Sequence, residues 1–455
     1  MKTLPQNNLI VTSKSTDELQ TMLLDIIKRA KKKGASDAVV GVSLDSGFSV
    51  DVRMGEVETI AFSEDNSVGI TVYIGKAKGS ASSSDTSPAA LDDMVAAAYE
   101  IAKVSASDPC FGLPDPEPHS VPYDDLDLLH PWGITPESAI EQAIQCEAHA
   151  RALDKRIVNS DGVNLATYQF NLGHADSQGF LGMMESSRHA VSCSLVAKNE
   201  SSANMQRDYE YTTARNALDM MSLEAVAASA VERTVSRLDA QKIATQKVPV
   251  LFSSRLSSGF FGSFIGAISG SNLYRKNSFL LDSIGQQLLP ETIKIYEQPW
   301  LKRGLGSALF DGEGVTTRPN VIVQNGVLQQ YVLNSYTARK MGLKTTANQG
   351  GVFNLTVDAT GGDLAAMLKM LDRGLYVTEL MGQGVNVLTG HYSRGAFGFW
   401  VENGQIQFPV EEITIAGNLK DMLRNIVAVG SDLNPNSSTR CGSVLVAEMM
   451  VAGNS

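Results

Sequence analysis

The sequence predicts an α+β protein, with an amino-terminal α+β region built on antiparallel sheets and a strand-rich, mixed carboxyl-terminal domain. Three observations predict it. Capped amphipathic helices bracket a run of short alternating segments before residue 104, a second set of helices and strand-like segments fills 136–240, and short strands joined by Asn-Gly turns dominate the remainder. At 455 residues the chain can bury several cores. The division expected is a small α+β unit at 1–104, a proline-rich strap at 105–135, a second α+β unit at 136–240 and a carboxyl-terminal domain at 241–455.

Residues 1–14 read as a loose tail. Ser15 and Glu18 form a capping box, Leu19, Met22, Leu23, Ile26, Ile27 and Ala30 make an apolar stripe, and Gly34 ends the first helix. From Ala38 to Ser84 five short segments, VVGVSL, FSVDVRM, ETIAFS, SVGITVYI and KGSASS, alternate apolar and polar residues, which predicts an antiparallel meander. Ser87 and Pro88 then open a helix whose stripe is Leu91, Met94, Val95, Ala98 and Ile101.

Seven of the fifteen prolines fall between Pro109 and Pro136, so this stretch is extended and irregular. Asp124, Asp125 and Asp127 lack the glycine and glutamate of a calcium loop and read as a solvated loop. A helix from Pro136 to about Asp154 precedes strand-like segments at Val163–Gly173, Gly179–Lys198 and Met205–Thr212 and a helix at Ser222–Leu238. The last domain opens on the buried strand Val248–Phe252. Asn325-Gly326 and Asn403-Gly404 supply the positive φ values of type I′ hairpins; Asp363–Leu371 reads as helix, and Leu375–Leu380 and Ile413–Ala416 as extended.

Between these elements lies RLSSGFFGSFIGAISGSNLYRK, Arg255 to Lys276, which predicts one buried helix. Gly262, Gly266 and Gly270 recur every four residues on one side, and Phe260, Phe261, Phe264, Ile265 and Ile268 cover most of the rest. Each internal glycine costs about 1 kcal/mol relative to alanine, so three on one side imply either a closely packed backbone or a cleft that needs empty space.

A net charge of -11 argues against binding to a phosphate backbone, so no nucleic-acid partner is expected. Lys28 to Lys33 is read as a solvated helix end, where cations suit the macrodipole. The first thirty residues lack the apolar core of a signal peptide, and no apolar run of eighteen residues occurs, so a soluble, cytoplasmic chain without membrane contact is expected. Cys110, Cys146, Cys193 and Cys441 form no C-x-x-C pair, and the six histidines form no H-x-x-x-H or H-x-x-H pair. There is no G-x-S-x-G elbow, no S-x-x-K dyad and no dinucleotide fingerprint; GITVYIGK at Gly69–Lys76 has the wrong glycine spacing for a phosphate loop. MGQGVNVLTG at Met381–Gly390, HYSRGAFGFWVENG at His391–Gly404 and ITIAGNLKDM at Ile413–Met422 spend glycine as a cleft wall or a tight barrel corner would.

These strings, with YRKNSFLLDSIG at Tyr274–Gly285 and VTELMGQGV at Val377–Val385, closely resemble the PmbA branch, also called TldE, of the TldD/PmbA family, over nearly the whole chain. The resemblance implies one subunit of a heterodimeric metalloprotease that trims unfolded peptides, including a microcin precursor and an antitoxin. Its TldD-like partner carries zinc on an H-E-x-x-x-H helix with a distant cysteine as third ligand. Matched without a gap through Arg275, the positions of that motif hold Gly262, Ser263 and Ala267; one residue earlier they hold Phe261, Gly262 and Gly266. Cys441, in RCGSVLV, matches the cysteine ligand.

No catalytic residue, metal or cofactor is therefore expected in this chain, with zinc in the partner. Gly262, Gly266, Gly270, Gly382, Gly384, Arg394 and Gly395 are the candidate lining of a cleft for extended peptides. Two alternatives stay open. One is a stand-alone or homodimeric peptide-binding protein, and the other is a metallopeptidase active alone through a non-standard site such as Cys441 with His391 or His189. An older link of the family to DNA gyrase and a carbon-storage regulator is read as acting through proteolysis.

Overall fold

The computed structural model describes residues 14–116, 125–199 and 204–453. All of the tail expected at 1–14 except Lys14, and part of the proline-rich strap, including Asp124, lie outside them. The class is α+β as expected.

Helix α1 (Thr16–Lys33) starts at the Ser15–Glu18 capping box and stops at Gly34, whose φ of 109° only glycine adopts easily. It buries Leu19, Leu23, Ile26, Ile27 and Ala30. The five predicted segments are three strands, β1 (Asp37–Arg53), β2 (Glu56–Ile74) and β3 (Ala77–Ser83). The expected break at Gly47 is absent because Gly47 pairs with both Ser63 and Tyr168. A Cβ there would run into Thr167 and Tyr168, so close approach, rather than a turn, requires this glycine. In α2 (Pro88–Val104), Ile101 is 45% exposed and Ala102 is buried in its place, since Gly79 of β3 lies against Ala98 and Ala102.

Helix α3 (Pro136–Leu153), strands β4 (Ile157–Asp176), β5 (Leu181–Lys198) and β6 (Met205–Ala214), and helix α4 (Leu223–Ser236) follow. β1 pairs with β4 from Val39 to Val52, so the two amino-terminal units share one six-stranded antiparallel sheet, β3-β2-β1-β4-β5-β6. Two apolar clusters pack on it, one under α1 and α2 and one under α3 and α4.

The carboxyl-terminal unit comprises β7 (Gln246–Phe252), α5 (Ser254–Ala267), α6 (Gly270–Tyr274), β8 (Ile295–Glu297), β9 (Val321–Gln324), β10 (Val327–Leu328), α7 (Ser335–Lys340), β11 (Leu355–Val357), α8 (Leu364–Leu371), β12 (Gly374–Met381), β13 (His391–Glu402), β14 (Gln405–Asn418), α9 (Leu419–Arg424), β15 (Ile426–Val429) and β16 (Val444–Gly453). Its main sheet runs β14-β13-β12-β7-β16-β15, and a β14–β16 pairing curls it into a barrel. Within this sheet β7 and β12 pair in parallel, and its other described strand pairs are antiparallel. A small sheet, β10-β9-β8-β11, lies beside it. Both Asn-Gly hairpins form, with φ of 51° and 74° at Asn325 and Gly326 and of 53° and 68° at Asn403 and Gly404.

The predicted long glycine helix is instead two helices, α5 and α6. Ile268 to Gly270 turn aside to bond Val332: Gly270 N–H donates to Val332 O at 2.9 Å, and Val332 N–H to Ile268 O at 3.1 Å. These bonds replace the next helical turn.

Candidate functional site

Helix α5 has one buried and one open face. Phe260, Phe261, Phe264 and Ala267 face the core, with the Phe260 and Phe261 ring centroids 5.2 Å apart at 72°. At Gly259, Gly262 and Gly266 a Cβ would meet nothing within 4 Å, and Gly259 and Gly262 are exposed. Of the two explanations for the glycines, empty space therefore holds for Gly262 and Gly266. Gly270 is different: it opens α6, and a Cβ there would run into Thr337 and Leu333, so it is a packing glycine outside any cleft.

The structure brings Gly382, Gly384, Arg394 and Gly395 together where β12 leaves the barrel and β13 returns. Gly395 pairs with Met381. Gly384 O accepts from Ser393 N–H at 2.7 Å, so close that a Cβ on Gly384 would overlap Ser393 O. Gly382, at φ 75°, faces open space. The partly buried Arg394 donates a long 3.5 Å contact to Leu380 O and interacts with Tyr392, whose phenol burial pushes up to about 12.

A cavity of about 240 Å³ lies between α4, β6, the start of α5 and β12, lined in part by Leu256, Thr378, Glu379 and Leu380, and Gly262, Gly266, Gly382, Gly384, Arg394 and Gly395 are not among its lining residues. Its charged lining is absent from the sequence reading. Asp208 accepts from Arg233 Nη2 at 3.1 Å and Arg237 Nη1 at 3.2 Å, and Arg237 also reaches Glu379 Oε2 at 2.7 Å. The Arg255 guanidinium sits 4.8 Å from the Tyr209 ring centroid and 5.3 Å from that of Tyr211, and pairs with Glu210 at 3.1 Å. Arg233 in the last turn of α4 and Arg237 just after it, four apart, together with alternating acids and tyrosines in DYEY at 208–211, are the sequence signal that could have found it.

The residues at the family's metal positions do not fit a zinc ion. Gly262, Ser263 and Ala267, or Phe261, Gly262 and Gly266, supply no imidazole or carboxylate, and Ser263 Oγ donates back to Gly259 O at 3.0 Å. Cys441 is buried with its Sγ 3.3 Å from Gly442 O, and burial pushes its thiol up to about 12, away from the thiolate a metal requires. Among the described residues no three His, Cys, Asp or Glu side chains are grouped to hold a metal. The suggested combination of Cys441 with His189 is not formed: both His189 ring nitrogens are engaged within the central unit, Nδ1 with Thr167 Oγ1 at 2.9 Å and Nε2 with His130 O at 2.8 Å. His391 is exposed at the start of β13, whereas Cys441 lies in the barrel core.

Comparison with known proteins agrees with this architecture. Residues 38–102 match domain 1 of the PmbA/TldA metallopeptidases, 129–238 their central domain and 245–453 their C-terminal domain. The chain is 48% identical to Metalloprotease PmbA of Escherichia coli O157:H7, over 92% of this chain and 93% of that one. It is 43% identical to the Metalloprotease PmbA homolog of Haemophilus influenzae over 99% of each. A crystal structure from Bacteroides thetaiotaomicron, described as a modulator of DNA gyrase, superposes with a TM-score of 0.91 at 26% identity, covering 96% of this chain and all of that one. TldE from Thermococcus kodakarensis shares the fold, with a TM-score of 0.83 at 21% identity, over 95% of this chain and all of that one. With all three domains matched in order and identity approaching half over nearly the full length, the chain belongs to the PmbA branch of the PmbA/TldA metallopeptidase family.

Proposed function

We propose that this chain is the non-catalytic subunit of a heterodimeric metalloprotease, paired with a TldD-like subunit that carries the zinc, and that the pair degrades or trims extended, unfolded peptides in the cytoplasm. The observation that carries this reading is the composition of α5, which keeps its buried aromatic face while the family's ligand and base positions hold Gly262, Ser263 and Ala267. Without a carboxylate at Ser263 nothing there could deprotonate a metal-bound water. The open face around Gly259 and Gly262 suits close approach by a partner subunit. Precursors of microcin type and antitoxins are the substrates this reading favours, and a homodimer is the form it gives the chain alone. Neither nucleic acid nor membrane belongs to it, given the acidic charge and, among the described residues, the lack of a helix long and apolar enough to cross a membrane.

The test is to purify the chain, measure bound zinc and iron, and assay cleavage of an unstructured peptide before and after adding a TldD-like subunit. Cleavage only in the mixture is expected. Metal-dependent cleavage by the chain alone would sink the reading.

A further inference from the structure

The chain carries a net charge of -11, yet one surface gathers cations with few carboxylates to match them. It forms where the start of β3, the strap at 108–115 and the helices α6 and α7 meet. Gly75 turns β2 into β3, and because Ala77 and Gly79 point inward, Lys76 and Lys78 alternate outward. Arg339 of α7 pins the strap by donating to Gly112 O at 3.2 Å and Leu113 O at 2.6 Å, which fixes Phe111 between Lys78 and Tyr336. Tyr336 and Lys340, four apart, share one face of α7.

The rings form a row. The centroids of Phe111 and Tyr336 lie 5.1 Å apart, and those of Tyr336 and Tyr274 5.9 Å. Each ring holds a cation: Lys78 Nζ is 4.5 Å from the Phe111 centroid, Lys340 Nζ 5.4 Å from that of Tyr336, and the Arg275 guanidinium 5.4 Å from that of Tyr274. Lys76 Nζ extends the row by donating to Phe111 O at 2.8 Å. All four cations are exposed, and among the described residues Lys340 alone of them reaches a carboxylate, Asp108 Oδ2 at 2.7 Å. Lys76, Lys78 and Arg275 are held instead by a carbonyl, a ring face and the Tyr274 phenol, which accepts from Arg275 Nε at 3.0 Å. Their charges are fixed in place but not neutralised.

We propose that this row is a docking surface for an acidic polypeptide segment of a partner protein, whose carboxylates pair with Lys76, Lys78 and Arg275. Charge complementarity and spacing choose the occupant. Side chains on alternate residues of an extended chain lie ~6.6 Å apart, close to the steps of 5.1 and 5.9 Å from ring to ring. Attraction acts within a Debye length of ~10 Å at 0.1 M salt, so a short acidic segment feels the row rather than the net charge. A nucleic acid suits the surface less well. Its phosphates continue beyond the row onto an acidic protein, and each ring already carries a cation and a neighbouring ring, which compete with base stacking. The surface goes beyond the subunit reading above, because the binding belongs to this chain alone and does not depend on a peptidase partner.

The test is fluorescence anisotropy on the full chain with three labelled probes: an unstructured peptide carrying glutamate at alternate positions, the same peptide with glutamine in their place, and a single-stranded oligothymidylate. The glutamate peptide should bind best, and the glutamine peptide about tenfold more weakly or worse. Lys78→Glu combined with Arg275→Glu should weaken binding of the glutamate peptide about tenfold, and the milder Lys78→Gln with Arg275→Gln about threefold. Lys369→Glu with Lys420→Glu makes the same change in net charge at exposed positions of α8 and α9 and should alter binding by less than about twofold. Equal binding of the two peptides, tighter binding of the oligothymidylate, or a reversal at Lys369 and Lys420 that costs as much as the one at Lys78 and Arg275 would overturn the surface, as would no binding at all. Cleavage by the mixture with a TldD-like subunit is scored separately, so loss of the surface leaves the subunit reading intact and loss of the subunit reading leaves the surface.

Discussion

Arg237 Nη1 lies 2.7 Å from Glu379 Oε2, and this pair ties the end of α4 in the central unit to β12 of the barrel. The same guanidinium holds Asp208 at 3.2 Å and stacks 3.7 Å from the centroid of Phe397. Asp208 is 7% exposed and Arg237 only slightly more, so their charges are worth keeping only together.

Arg237→Ala should therefore destabilise the protein by about 1–3 kcal/mol in urea titration, since it leaves Asp208 to Arg233 alone and opens a space beside Phe397. Arg237→Lys should recover little of this, because an ammonium neither stacks nor forks between two carboxylates. Full recovery by lysine would show that charge alone matters there.

The glycines should separate into two classes. Gly262→Ala places a methyl in open space on a helix and should raise stability by about 0.5–1 kcal/mol. Gly270→Ala and Gly384→Ala drive a Cβ into Thr337 and into Ser393 O, and should cost about 1–3 kcal/mol or more. In mixtures with a TldD-like subunit, a bulky Gly262→Trp should weaken association although the isolated chain stays folded.

Stability should fall as pH rises towards neutrality. Glu297, fully buried in β8, accepts from Asn320 Nδ2 at 2.8 Å, Asn348 Nδ2 at 2.9 Å and Phe353 N–H at 2.7 Å, yet burial outweighs these donors and pushes its carboxyl up to about 7. The folded state then keeps a proton that the unfolded chain releases near 4.5, so Glu297's contribution declines between about pH 4.5 and pH 7. Asp311, raised to about 6 by burial, adds to the decline at the lower end. The total for Glu297 is on the order of 3 kcal/mol. Urea titrations from pH 5 to pH 7.5 should show the slope, and Glu297→Gln should flatten it even though that variant is less stable overall.

Cys441 should resist alkylation at pH 8 in the native protein while the half-buried Cys110 reacts, because burial holds the Cys441 thiol protonated. Cys441→Ala should leave peptide cleavage by the mixture unchanged. Rapid labelling of Cys441, or loss of activity in the alanine variant, would return it to the list of ligands.

Much of this was legible locally. The Ser15 capping box, the Gly34 stop, the Asn325-Gly326 and Asn403-Gly404 turns and the helix at Leu364–Leu371 are set by neighbouring residues, so the chain reads them as written. The absence of imidazole and carboxylate at Gly262, Ser263 and Ala267 is likewise a matter of sequence alone.

Long-range pairing decided the rest. Whether Gly47 turns the chain or runs through a strand depended on Tyr168, more than a hundred residues away; whether the glycine helix continues past Ala267 depended on Val332. Gly262 and Gly270 share a spacing but not a role, because only the packed neighbours say which lies in empty space. The seam of Asp208, Arg237, Arg255 and Glu379 was invisible for the same reason. Each of its charges reads as an ordinary surface residue until the sheet and the barrel close on it, and it is that burial which makes the partners obligatory.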